Sequence, residues 1–120
     1  MNIKVVVFAL VMTASMGVQG AWLTGGQLLE DCESENYFEK GSCMGYIEGV
    51  GDSVATLANW EDFAEYICTP QGVTSGQLML VVVKNLNENP EELHMTASSL
   101  VLNALSEAFP CEWEGSNYVN

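Results

Sequence analysis

The side chains in this 120-residue chain that could do chemistry are one histidine, four cysteines and 16 carboxylates. A catalytic thiol must be free and must sit beside a base. The only imidazole is His94, and the four cysteines (Cys32, Cys43, Cys68 and Cys111) are even in number, the pattern of two disulfides in a small exported domain. Their spacings, with 10, 24 and 42 residues between them, contain no C-x-x-C pair and so argue against a zinc site or a thioredoxin-like motif. Glu91, Glu92 and His94 could supply only weak metal ligands on an exposed turn. Glu61, Asp62 and Glu65 lie close together but lack the alternating oxygen ligands and central glycine of a calcium loop, and read as a solvated acidic face. No serine occupies a nucleophile elbow and no glycine-rich phosphate loop follows a strand. Carboxylate pairs abound, but no apolar cleft is visible that would raise the pKa of one of them. The inventory is that of a non-enzyme without metal or cofactor.

Charge narrows the partners. Three lysines and no arginine against the acids give a formal net charge of −13. Phosphate recognition requires cations that displace counterions, which excludes nucleic acid, and anionic lipid is disfavoured on the same ground. A basic protein surface would be attracted, with a salt-sensitive rate. The N-terminus reads as a removable secretory signal over residues 1–20: Lys4, the apolar run Val5 to Met12, then Val18-Gln19-Gly20 with small residues at the cleavage positions. That run is too short to span a bilayer. Residues 21–120 then form a single domain, with a tail from 111 to 120 that carries Trp113 and Tyr118.

Four helices must position these residues. Thr24 with Gln27 makes a capping box that opens a first helix running to about Glu35, with Leu28, Leu29 and Cys32 on its apolar stripe. Glu33 to Ser42 reads as a polar turn around Gly41, after which Ser42 caps a second helix from Cys43 to about Ala58. Gly45 and Gly49 occupy the outer flank of that helix, each costing about 1 kcal/mol relative to alanine. The expected compensation is a close backbone approach by another element of the bundle, and the alternative is a contact with a second copy through Gly45, Gly49 and Ser53. Asn59 to Tyr66 is ambiguous, and Thr69-Pro70-Gln71-Gly72 breaks the chain. Thr74 with Gln77 is a second capping box. The three valines that follow favour a strand on propensity, but the box and the stripe Leu78, Val81, Val82, Leu86 favour helix, leaving Leu80 on the polar side. Asn87 to Met95 is a loop in which Pro90 starts a single turn, and Thr96 caps a last helix with Ala97, Leu100, Val101, Ala104, Leu105 and Ala108 on one face.

Short connections make this an all-α, four-helix up-and-down bundle. The topology places Cys32 beside Cys43 at one end and Cys68 beside Cys111 at the other, so the bundle is stapled by two disulfides with those pairings. It also brings the Glu33–Ser42 turn and the Asn87–Met95 loop to one end. Glu33, Glu35, Glu39, Glu88, Glu91, Glu92 and His94 are therefore the candidate partner-binding residues, with Lys40 and Lys84 nearby, and Gly45, Gly49 and Leu80 the candidates for a homodimer contact.

Gly72-Val73-Thr74-x-x-Gln77-Leu78, Val81-Val82-Val83-Lys84-x-Leu86, Asn89-Pro90-Glu91-x-x-His94 and Ser99-Leu100-Val101-x-x-Ala104-Leu105-x-x-Ala108-Phe109-Pro110-Cys111 resemble the signature of the Rap/Tai family. Gly45-Tyr46-Ile47-x-Gly49-Val50 resembles its second-helix motif. The resemblance implies a small, exported, helical and often dimeric immunity protein. Such a protein would bind a type VI secretion amidase, a cysteine peptidase that cuts peptidoglycan peptides, in the periplasm and obstruct its active site. The alternative from another class is a small periplasmic stress chaperone of the HdeA type, also helical, disulfide-bonded and exported.

Overall fold

The computed structural model describes residues 22–60 and 65–111. The signal segment, Glu61 and Asp62, and the tail with Trp113 and Tyr118 lie outside the described residues. Four helices form: α1 (Gly25–Glu33), α2 (Tyr37–Leu57), α3 (Ser75–Glu88) and α4 (Ala97–Ala108), with a 3-10 turn at Pro90–Glu92 between the last two. Each helix packs against the other three. No strand occurs among the described residues, and both disulfides pair as the topology requires, Cys32 with Cys43 and Cys68 with Cys111.

The capping boxes are present. Thr24 accepts from the backbone N–H of Gln27 while the Gln27 side chain accepts from that of Thr24, and Thr74 and Gln77 repeat the exchange at the start of α3. This fixes the helical phase before the valine run begins, so Val82 and Leu86 enter the core, where a strand would have sent neighbouring valines to opposite faces. Gly72 supplies the turn ahead of the box, with a φ of 89° that side-chain-bearing residues rarely adopt.

α2 departs from the sequence expectation. It begins at Tyr37, six residues before Cys43, and the polar turn shrinks to Ser34–Asn36. Asn36 is the cap: its side-chain oxygen accepts from the N–H of Phe38 at 2.9 Å. Ser34 braces the turn, accepting from the N–H of Asn36 and donating its hydroxyl to the Glu39 carboxylate. Glu39 stands in the first turn of α2, where the helix dipole favours an acid. Gly41 and Ser42 are ordinary helical residues, because a glycine inside a helix costs about 1 kcal/mol without ending it.

α1 is held at both ends. Its first two N–H groups, on Gly25 and Gly26, donate to the carbonyls of Met95 and Leu93 at 2.9 Å each, and the N–H of Ala97 donates to Leu23 at 2.7 Å. Its far end is tied to α2 by Cys32–Cys43, across 5.1 Å between Cα atoms. The core comprises Leu28, Cys32, Cys43, Ile47, Val82, Leu86, Ala97, Leu100, Val101, Ala104 and Leu105. Ala108, expected on the same stripe, lies beyond its end and is exposed. At the other end of the bundle the N–H of Cys68 donates to the carbonyl of Phe109, beside the Cys68–Cys111 bond.

Gly25 is buried, and a Cβ added there would overlap Cδ1 of Leu100, which would have to move. Gly25→Ala should therefore destabilise the domain by about 1–3 kcal/mol in urea unfolding. The disulfides should rank against their loop lengths. Chain entropy assigns about 3 kcal/mol to the bond of separation 11 and about 4 kcal/mol to that of separation 43. Cys32 and Cys43 are also core side chains, however, and truncating them opens a cavity. The Cys32→Ala/Cys43→Ala variant is expected to unfold at no higher a urea concentration than Cys68→Ala/Cys111→Ala.

Candidate functional site

The acidic end is built around α1. Asn87, at the last turn of α3, donates from Nδ2 to Glu33 Oε1 at 2.9 Å and to its own helix at the Val83 carbonyl at 3.0 Å. That bond joins the end of α1 to the end of α3. The start of α1 is docked on the segment that follows the 3-10 turn, through Leu93 and Met95. The predicted carboxylates are therefore spread along a ridge. Glu33, Glu35 and Glu39 gather where α1 meets α2, and Glu91 and Glu92, with the exposed His94, stand where α1 begins. The nine residues of α1 separate the two groups by about 13 Å.

The individual carboxylates differ in availability. Glu33, Glu35 and Glu91 are exposed, whereas Glu39 is half-buried with the Ser34 hydroxyl on its carboxylate. Glu92 is half-buried in the 3-10 turn. Glu88 is exposed and faces Lys84 at 3.8 Å, a solvated pair worth well under about 1 kcal/mol that partly offsets its charge.

Aromatic side chains complete the ridge. Tyr37 and Phe38 are 93% and 84% exposed at the first turn of α2, beside Glu33, Glu35 and Glu39. Trp22, 83% exposed, precedes the start of α1. Sequence reasoning missed all three. Tyr37 and Phe38 fall inside the polar turn expected from sequence, although two adjacent large rings among three acids, directly after Asn36 with Glu39 three residues on, are themselves a sign of an exposed helix start. Aromatic residues in a charged surround are the composition from which binding hot spots are made.

The outer flank of α2 is a separate feature. Nothing lies within 4 Å of a Cβ placed on Gly45 or Gly49, so the close approach expected from within the bundle does not occur. The two glycines instead border a shallow apolar groove of about 510 Å³ with Tyr46, Val50, Val54, Leu57 and Leu102. Ser53 donates its hydroxyl back to the Gly49 carbonyl at 2.7 Å. Leu80 is 64% exposed on α3, as its place on the polar side predicts, and is not part of that groove.

Glu65 approaches Cys68 and Cys111, but both sulfurs are bonded to each other and offer no thiolate to a metal. With open space at their Cβ positions, Gly45→Ala and Gly49→Ala should each stabilise the isolated chain by up to about 1 kcal/mol, read as a higher urea midpoint at low protein concentration.

Compared with known proteins, the chain matches the family described as Rap1a immunity proteins over residues 24–111, from the cap of α1 to the last cysteine. No curated protein and no solved structure matches it.

Proposed function

The chain belongs to the Rap1a immunity proteins, and from that premise we propose that it is a periplasmic antidote that binds a type VI secretion peptidoglycan amidase and occludes its active site. The observation that carries the reading to a surface is the ridge along α1. Exposed carboxylates at Glu33, Glu35 and Glu91 flank the exposed rings of Trp22, Tyr37 and Phe38 on a segment tied down by a disulfide and by the Asn87–Glu33 bond. The backbone that carries Tyr37 and Phe38 is thereby held in place, which lowers the part of the entropic cost of association that comes from ordering the chain. Its negative field would steer a basic rim towards it. Two disulfides suit an oxidising compartment such as the periplasm, and residues 1–20 supply the export signal. The family match favours immunity over a stress chaperone.

The partner is sought in a neighbouring reading frame that encodes an NlpC-like cysteine amidase. Co-expressed in the periplasm, the wild-type chain should prevent lysis by that amidase. Undiminished lysis in the presence of abundant, folded, oxidised chain overturns the reading. Glu91→Lys/Glu92→Lys should lower the association rate and flatten its dependence on salt, with helicity unchanged. Tyr37→Ala/Phe38→Ala should act mainly on dissociation and cost about 2 kcal/mol or more of affinity.

A further inference from the structure

At the opposite end of α3 from the ridge, a cleft of about 560 Å³ opens between α2, residues 65–73 and the start of α3. Its floor is aliphatic, made by Val54, Ile67, Leu78 and Leu105. Its rim carries three carboxylates, Glu48, Asp52 and Glu65, and no lysine, arginine or histidine lines it among the described residues. Glu48 and Asp52 are one turn apart on α2 and so share a face. The Ser75 hydroxyl donates to the Glu48 carboxylate, which ties that acid to the first residue of α3 and leaves its remaining lone pairs available.

We propose that this cleft is the socket for an arginine side chain of the partner protein. The inference rests on the reading of the chain as an immunity protein that binds an effector. Charge complementarity selects a cation, and the aliphatic floor favours one with an apolar stem over a hydrated metal ion. Between the two basic side chains, arginine is the better fit. Its guanidinium is weakly hydrated and spreads five donors in a planar fork that can reach carboxylates on both sides of an opening, whereas a lysine ammonium is a compact, strongly hydrated point charge. The stem would lie against Val54, Ile67 and Leu78 while the fork met Asp52, Glu65 and the free lone pairs of Glu48. The socket and the ridge stand at the two ends of a 14-residue helix, about 20 Å apart.

The test is a backbone-amide NMR titration of the oxidised chain with the peptide acetyl-Leu-Arg-Leu-amide, and with acetyl-Leu-Glu-Leu-amide as the control. The arginine peptide should give saturable shifts confined to residues around Asp52, Ile67, Val73 and Ser75, weakening as salt is raised. Asp52→Lys should reduce its affinity at least about fivefold by reversing the charge at the rim, and Ala55→Trp should do so by filling the cleft without changing charge. Shifts scattered over the acidic surface, or equal affinity in both variants, overturn the socket. The amidase separates this inference from the one beneath it. An amidase bound equally well by wild type and Asp52→Lys removes the socket and keeps immunity. An amidase that the wild type never binds removes immunity, and the peptide titration then decides the socket alone.

Discussion

The constraint on which the rest of the structure depends is the docking of α1 onto the connection between α3 and α4. The first N–H groups of any helix lack partners within it. Here the Thr24 side chain satisfies the N–H of Gln27, and the carbonyls of Met95 and Leu93 take those of Gly25 and Gly26. Gly25 leaves room for Leu100 to close over the backbone, and a Cβ there would force that side chain to move. Leu28 and Cys32 then fall into the core, and Cys32 brings the start of α2 with it. One short helix thus fixes where two connections lie and, with them, where the acids and rings of the candidate interface stand.

The large negative charge is compatible with this fold because, among the described residues, none of it is inside. No charged or polar side chain is buried among the described residues, and no buried side-chain polar atom lacks a partner. The described carboxylates are placed on connections and outer faces, where water screens them and repulsion is mild. A surface of this kind contributes little to stability but discriminates strongly between partners, since a like-charged surface is rejected as firmly as a basic one is drawn in.

How much of this could be read in advance varies with the range of the interaction involved. The Thr24/Gln27 and Thr74/Gln77 boxes are local patterns and told where α1 and α3 begin. The cysteine pairing followed from helix order, because the ends at which Cys32, Cys43, Cys68 and Cys111 fall do not depend on exact boundaries. The start of α2 was legible only in part. Asn36 and Glu39 have the N-x-x-E spacing of a capped helix start, but Gly41 pointed to a turn, and in the structure the Glu39 carboxylate accepts from the Ser34 hydroxyl while the Asn36 N–H donates to Ser34. That misplacement hid Tyr37 and Phe38 from view. The acids of the ridge were legible as a group, but their division between the two ends of α1 was not, since it depends on backbone bonds from Gly25 and Gly26 that no side-chain pattern announces.

The glycines of α2 bear on how the molecule comes apart. Gly41, Gly45, Gly49 and Gly51 lie within one helix of 21 residues, and together they forgo about 4 kcal/mol of intrinsic helix preference relative to alanine. The disulfide at Cys43 and the buried Ile47 pin its first half, whereas the second half contributes only partly buried side chains. The segment from Gly49 to Leu57 should therefore exchange its amide hydrogens well before α3 and α4 do, as a subglobal opening that leaves α1 and the ridge in place. The domain is in this sense two materials: a firm end that presents a surface, and a softer shaft that can yield without disturbing it.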